Sequence, residues 1–116
     1  MPTFLNTARL SQPDHYRRVF DNPEYRVSSG AFLLLATPGA TLSSRLGIVV
    51  AKKNIRFAVR RNRIKRLVRE HFRHHAFDEA IDLVVLARSG ADQLDNPHLW
   101  QDLDKLWHAL GQKLNS

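Results

Sequence analysis

The sequence contains no cysteine. Without thiols the chain can form no disulfide, no thiolate nucleophile and no cysteine-based zinc site. Long apolar runs are also absent, because the longest, around residues 32–36, is far shorter than the roughly 18–20 residues that cross a bilayer. The first residues lack the basic start and the apolar stretch of a secretory signal. We therefore expect a cytoplasmic protein without a membrane partner.

Motifs for catalysis by side chains are absent as well. The sequence has neither a G-x-S-x-G nucleophile motif nor a glycine-rich phosphate loop. The acids of the second half are scattered over expected loops and helix surfaces, namely Asp78, Glu79, Asp82, Asp92, Asp95, Asp102 and Asp104. No two of them stand out as a general acid and a general base. We therefore expect no catalytic residue in the polypeptide.

Three neighbouring histidines raise the question of a metal site. His71 and His75 are four residues apart, a spacing at which two imidazoles on a helix can hold a metal, and His74 lies between them. Glu70 points to a different side of the helix, and no cysteine is available to complete a ligand set. We expect partly packed and partly solvated imidazoles, and no metal held by the protein.

The length and the apolar content indicate one folded unit. The chain has 116 residues, of which 43% are hydrophobic. This length suits one compact domain, and this hydrophobic fraction is sufficient for a real core. No internal repeat, low-complexity tract or linker is visible. We predict a single domain over residues 1–116.

The positive charge of the chain lies in one segment. Residues 52–73 contain ten of the eighteen Lys and Arg residues and one acid, Glu70, which gives this segment a net charge of +9. The other residues have eight basic and ten acidic side chains, a balance of −2, so the two parts sum to the net +7. Such a concentration of like charge repels itself, and a polyanion is its natural partner.

Hydrophobic periodicity and turn signals divide the chain into seven elements. The predicted helices cover residues 11–20, residues 57–74 and a segment that starts at Asn96 or Pro97. The predicted strands cover residues 25–28, 31–37, 45–51 and 82–87. The last helix has an apolar stripe formed by Leu99, Leu103, Leu106, Trp107, Leu110 and Leu114. The order α-β-β-β-α-β-α predicts an α+β sandwich with helices packed on a four-stranded sheet.

The helix predicted at residues 57–74 has two different faces. On a helical wheel at about 100° per residue, one face collects the apolar side chains of Phe57, Ile64, Leu67, Val68, His71 and Phe72. The opposite side and flank collect Asn62, Lys65, Arg66, Arg69 and Arg73, with Arg61 near the boundary. An ordinary solvated face mixes acids with bases, whereas Glu70 is the one acid here. The pattern favours phosphate binding over a face that is merely solvated.

The segment 45–73 closely resembles the signature of the bacterial ribonuclease P protein subunit. In that family a strand ends in a Lys-Lys pair, and a helix follows with an Arg-Asn-Arg motif and K-R-x-x-R-E behind it. This chain has Lys52-Lys53, Arg61-Asn62-Arg63, Lys65-Arg66 and Arg69-Glu70. The resemblance continues outside the signature, because Arg9-Leu10, residues 16–20 and residues 31–36 are similar to the family's first helix and second strand.

The resemblance implies a fold and a function. The fold is a four-stranded mixed sheet with a rare left-handed crossover through the basic helix. The function is that of the RNA-binding subunit in an endoribonuclease holoenzyme, which removes the 5′ leader from precursor tRNA. The catalytic RNA subunit carries the chemistry, Mg²⁺ is bound by that RNA and the substrate, and the protein lowers the Mg²⁺ requirement. The implied partners are the ribonuclease P RNA and the precursor tRNA leader, with no obligate protein partner.

The resemblance also implies two sets of site residues. Those that bind RNA are Lys52, Lys53, Arg56, Arg60, Arg61, Asn62, Arg63, Lys65, Arg66, Arg69 and Arg73. Those that line a cleft for the leader are Tyr16, Arg17, Phe20, Phe32 and Leu35. Core packing explains Tyr16 and Phe20 equally well, because their i,i+4 spacing is that of an amphipathic helix. The chain departs from the family pattern at two places. Leu35 stands where many family members have an aromatic residue. Residues 54–57 stand where some members have a glycine turn after the Lys-Lys pair.

Three other functions are compatible with parts of the sequence. A ribosome-associated protein or an RNA chaperone would use the same basic helix on another RNA. A metal-dependent nuclease would need an acidic cluster, which the sequence lacks. A membrane-surface helix would need its apolar face exposed, whereas we expect that face to pack on the sheet.

Overall fold

The computed structural model of the chain describes residues 13–39, 44–75 and 80–115. Its helices are α1 (Pro13–Asp21), α2 (Ala58–Arg73) and α3 (Asn96–Leu114), and a short 3₁₀ turn covers Ser89–Gln93. Its strands are β1 (Tyr25–Ser28), β2 (Phe32–Pro38), β3 (Arg45–Val49) and β4 (Ile81–Ala87). The predicted order α-β-β-β-α-β-α is confirmed over these residues. No helix of the described part is long and apolar enough to cross a membrane.

The four strands form one mixed sheet in the order β1-β2-β4-β3. β1 and β2 are an antiparallel hairpin, and β2 also pairs antiparallel with β4. β3 and β4 are parallel, and the chain passes between them through α2. The α+β fold with a mixed sheet is therefore confirmed, while the left hand of the crossover stays a prediction.

Several predicted boundaries differ from the structure by one or two residues, and two of these differences have a clear cause. β3 ends at Val49 rather than at residue 51, because the chain turns there and the N–H groups of Asn54 and Ile55 donate back to the carbonyl of Ala51. α2 begins at Ala58 rather than at Phe57, whose φ of −92° and ψ of 133° are those of extended backbone. The predicted start of the first helix, residues 11 and 12, lies outside the described residues.

Helices cover the two faces of the sheet unequally. The face under α2 and α3 holds the main core, which includes Phe32, Ile64, Leu83, Leu103 and Trp107. The face under α1 holds a second cluster of three buried residues, Val19, Leu35 and Val84. Because successive side chains of a strand point to opposite faces, each inner strand contributes to both clusters.

The last helix forms as its pattern predicts. Asp95 is the N-cap, where its side chain accepts from the backbone N–H of His98 at 3.0 Å, and a proline lies in the first turn. Five of the six stripe residues are buried, and Leu114 is half-buried against the same core. α3 thus closes the main core and supports α2 from the side.

Candidate nucleic-acid interface

α2 presents a cationic face because its apolar face is anchored in the main core. Ile64, Val68, His71 and Phe72 are buried against the sheet and α3. The opposite face and the turn before the helix carry a set that we name the basic surface: Lys52, Lys53, Asn62, Lys65 and Arg66. None of these five side chains makes a hydrogen bond or an ion pair with another described residue. Their donors are therefore available to an external ligand.

The other predicted RNA-binding cations are engaged within the chain. Arg61 Nη1 donates to the carbonyl oxygens of Ile55 and Arg56 at 3.0 and 2.7 Å. Arg63 donates to Asn96 Oδ1 at 2.8 Å and to the carbonyl of Leu94 at 3.2 Å. These two arginines therefore tie the start of α2 to the loop before it and to the start of α3.

Three further cations of the helix have partners as well. Arg60 lies 3.4 Å from the carboxylate of Asp92, and Arg73 pairs with Glu70. Arg69 is also engaged in a contact within the chain. Arg56 is exposed beside the ring of Phe57. The structure thus divides the other predicted residues into those available to a ligand and those that hold the helix in place.

The first turn of α2 adds to the positive potential. It has no side-chain cap and no acid. The leading N–H groups of a helix carry partial positive charge, and without a capping oxygen they attract anions. This end of the helix therefore supports the basic surface electrostatically.

The helical wheel placed Phe57 on the buried face of α2, and this prediction is wrong. The side chain is 58% exposed, because the extended backbone at this position removes it from the helical repeat. Ile55, two residues earlier, is completely buried in the main core instead. Val59 in the first turn is 81% exposed.

On the other face of the sheet, α1 leaves one row of side chains only partly covered. Val19 of α1 packs on Leu35 and Val84. In the next row, Leu33 pairs with Leu86, which also pairs with Val49, and all three are half-buried. These three residues, which the sequence-based site set did not include, form an apolar floor beside α1.

Two aromatic side chains share one side of α1, and Tyr16 packs against the same cluster as the three floor residues. Tyr16 is half-buried with its ring against Gly47, where a Cβ atom would lie 2.6 Å from the ring. Phe20 is 38% exposed, and it follows Tyr16 by one helical turn, on the side away from Arg18. We call the two aromatic side chains and the three floor residues together the apolar strip: Tyr16, Phe20, Leu33, Val49 and Leu86.

The structure places the other predicted cleft residues differently. Phe32 is completely buried in the main core, on the opposite face from Tyr16, which corrects its assignment to the cleft. Leu35 is on the α1 face but is only 6% exposed, because Val19 covers it. Arg17 is exposed on the outer side of α1. Successive side chains of a strand point to opposite faces of the sheet, so the sequence of β2 already indicated that Phe32 and Leu33 lie on different faces.

An ion triad around a buried carboxylate fixes α1 to the sheet. Asp82 of β4 has no exposed side-chain surface and accepts two hydrogen bonds from Arg45 of β3, at 3.0 and 2.7 Å. Arg18 of α1 pairs with the same carboxylate and also donates to the carbonyl of Pro38 at 3.1 Å. Arg45 Nη1 further lies 3.3 Å from His15 Nδ1 of α1. The triad holds the wall of the apolar strip in position.

The ionisation of the triad follows from its surroundings. Burial acts to raise the pKa of Asp82, but the hydrogen bonds and charges of Arg45 and Arg18 outweigh it, so this pKa lies below its ordinary value. The hydrogen bond to Asp82 raises the pKa of Arg45 against the opposing effect of burial. Asp82 and Arg45 are therefore both charged at neutral pH.

The three neighbouring histidines lie in different surroundings. His71 is buried, and its Nδ1 accepts a hydrogen bond of 2.7 Å from Trp107 Nε1 of α3. His74 Nε2 lies 3.0 Å from Glu70 Oε1. Burial and the nearby His71 lower the pKa of His75. The described residues contain no group of three metal-ligating side chains suited to an ion.

Known proteins similar to this chain point to one family. The Ribonuclease P family model matches residues 4–111. The ribonuclease P protein component of Marinobacter nauticus is 42% identical over 96% of this chain and 84% of its own length. That of Stutzerimonas stutzeri is 44% identical over 94% of this chain and 84% of its own length.

Solved structures agree with these relatives. The RNase P protein of Staphylococcus aureus superposes with a TM-score of 0.82 at 28% identity, over 89% of this chain and 94% of that one. The RNase P protein from Thermotoga maritima gives a TM-score of 0.74 at 30% identity, over 84% of this chain and 93% of that one.

Proposed function

Because this chain belongs to the ribonuclease P protein component family, we propose that it acts in tRNA 5′ processing as the RNA-binding subunit of ribonuclease P. In this holoenzyme the RNA subunit cuts the 5′ leader from precursor tRNA, and the polypeptide binds both RNAs. The observation that carries the proposal is the basic surface, in which cations without hydrogen-bond or ion-pair partners among the described residues lie on α2 and in the turn before it. Such a surface matches a phosphate backbone and offers no nucleophile.

The basic surface binds the RNA subunit in this proposal. Arg66 can donate two parallel hydrogen bonds to a phosphate, and Lys65 supplies a mobile point charge. Arg61 and Arg63 act indirectly, because their hydrogen bonds to the flanking loops fix the start of the helix. The backbone of α2 is thus preorganised for binding, and the side chains of the basic surface become ordered when they meet the phosphates.

The apolar strip binds the single-stranded leader. Unpaired bases stack on aromatic rings with little dependence on sequence, and Tyr16 and Phe20 offer two such rings one helical turn apart. Leu33, Val49 and Leu86 give the bases an apolar floor that needs no hydrogen-bond partner.

Mg²⁺ in this proposal is held by the RNA subunit and the substrate. The donor set of the described residues does not fit a protein-held ion, because Asp82 and Glu70 are paired with cations and no cluster of three ligands exists there. When bound to RNA, Mg²⁺ supplies the activated water and the charge stabilisation for cleavage. The cations of the chain screen the repulsion between the two RNAs, and fewer Mg²⁺ ions are then needed.

Reconstitution tests the proposal. Purified protein is added to ribonuclease P RNA, and cleavage of precursor tRNA is followed over a range of Mg²⁺ concentrations. We expect cleavage to extend to lower Mg²⁺ with protein, and no cleavage by the protein alone. Cleavage by the protein alone would favour the metal-dependent nuclease, and an unchanged Mg²⁺ requirement would contradict the role of the cations.

Leader length tests the apolar strip separately. Substrate affinity is measured for a leader of several nucleotides and a leader of one, with and without protein. We expect the protein to tighten the long-leader substrate more than the short-leader substrate. Equal tightening of both substrates would contradict leader binding by the apolar strip. It would not contradict binding of the RNA subunit by the basic surface.

A further inference from the structure

Two exposed apolar side chains lie at the head of the basic surface. Phe57 and Val59 are each more than half exposed, in a segment otherwise rich in Lys and Arg. On the helical wheel Val59 precedes Asn62 by three residues and Arg66 by seven, so all three share one face of α2. The proposed phosphate-binding face therefore begins with an apolar patch that the core does not use.

The loop that carries Phe57 is anchored on both sides. Ile55 is completely buried in the main core, and Asn54 Nδ2 donates to the last carbonyl of β4 at 3.1 Å. From the other side, Arg61 holds the carbonyl groups of Ile55 and Arg56. The ring is thus presented to solvent from a fixed backbone, which lowers the entropy that a ligand must remove on binding.

A cation accompanies the exposed ring. The guanidinium carbon of Arg56 lies 5.5 Å from the centroid of Phe57. Unpaired bases stack on aromatic rings and on guanidinium planes alike, and the neighbouring cations meet their phosphates. An aromatic ring beside an arginine, within a surface of net positive charge, is therefore complementary to an unpaired nucleotide.

We propose that Phe57, together with Arg56 and Val59, forms a stacking site for an unpaired base of the RNA subunit. This inference rests on the proposed function and adds a base contact to the phosphate contacts of α2. We assign the base to the RNA subunit because Val59 shares one face of α2 with Asn62 and Arg66, which belong to the basic surface. The apolar strip proposed for the leader lies on the other face of the sheet, beside α1.

Substitutions at Phe57 distinguish stacking from charge. We expect Phe57→Ala to weaken binding of the RNA subunit by roughly 5- to 150-fold, the range for loss of one base stack. Because no phosphate contact is lost, the dependence of affinity on salt should keep its slope. Phe57→Trp should bind at least as well as the parent, and Phe57→Leu should resemble Phe57→Ala. Parent-like affinity of Phe57→Ala or Phe57→Leu would overturn the proposal.

A matched aromatic variant identifies the source of the base. Phe57→Ala should leave the leader-dependent gain in substrate affinity unchanged, whereas Phe20→Ala should reduce that gain and leave affinity for the RNA subunit unchanged. A loss confined to the leader-dependent gain in Phe57→Ala would overturn the assignment to the RNA subunit. If the parent protein itself fails to bind the RNA subunit, the proposed function fails instead. Urea unfolding should show Phe57→Ala as stable as the parent, because the ring is mostly exposed.

Discussion

The basic surface and the apolar strip are held in place by different forces. α2 has 16 residues, and its buried face is part of the main core on one side of the sheet. α1 has nine residues and rests on a cluster of three buried residues and on the Arg18–Asp82–Arg45 triad. The long helix is thus positioned by apolar burial, and the short helix depends on a few directional contacts.

Because of this difference, we expect substitutions to separate binding from stability on the basic surface but not at the apolar strip. The cations of the basic surface make no side-chain hydrogen bond or ion pair with the described residues, and we expect their removal to weaken RNA binding without a large loss of stability. The residues that dock α1 also position Tyr16 and Phe20, so we expect their removal to reduce stability and the proposed leader binding together. Four measurements test this contrast.

The largest effect is expected at the centre of the triad. Asp82→Asn leaves the buried guanidinium of Arg45 without its countercharge, and breaking a buried ion pair costs about 3–5 kcal/mol. We expect a loss of at least about 3 kcal/mol in the free energy of unfolding, measured by urea denaturation. Asp14→Asn on the exposed side of α1 is the control, with an expected change below about 0.5 kcal/mol. Equal stability of both variants would show that the triad does not dock α1.

The same carboxylate predicts a pH dependence. The pKa of Asp82 is lower in the folded state than in the unfolded state, so its stabilisation is fully present above the unfolded pKa of about 3.9 and is lost as the pH falls through the folded pKa. Parent and Asp82→Asn should therefore converge in stability as the pH is lowered below about 4. Urea unfolding across this range measures the convergence. A constant difference would assign the effect to packing rather than to charge.

A smaller effect is expected where Tyr16 meets the sheet. In Gly47→Ala the added Cβ would lie 2.6 Å from the Tyr16 ring, so the ring must move. We expect a loss of about 1–3 kcal/mol in the free energy of unfolding, together with a reduced leader-dependent gain. Gly111→Ala, where the added Cβ has nothing within 4 Å, is the control. Unchanged leader dependence in Gly47→Ala would separate the position of Tyr16 from leader binding.

The smallest effect on stability is expected on the basic surface. Arg66→Ala should leave the free energy of unfolding within about 0.5 kcal/mol of the parent. It should weaken RNA binding and flatten the salt dependence by about one unit of slope for each lost phosphate contact. Arg61→Ala sharpens the comparison, because losing its two hydrogen bonds to carbonyl oxygens should cost about 1–3 kcal/mol of stability. If the two variants are equally stable, Arg61 does not hold the loop.

Local patterns in the sequence were sufficient for the element order and for much of the basic surface. The amphipathic repeat of α2 places Ile64 and Val68 inside and Asn62 and Arg66 outside, as predicted. The period of a helix depends on neighbouring residues alone, so the sequence contains this information directly. The stripe of α3 was predictable for the same reason.

Tertiary structure alone decided the remaining features of the two regions. Arg18, Arg45 and Asp82 are far apart in sequence, and only the pairing of β3 with β4 under α1 brings them into one triad. Phe32 was assigned to the cleft, but the register of β2 directs it into the main core. Phe57, which we expected on the buried face of α2, is exposed because the turn after β3 places Ile55 in the core instead. Contacts between distant segments have no local signature, and they determine which side chains are left for RNA.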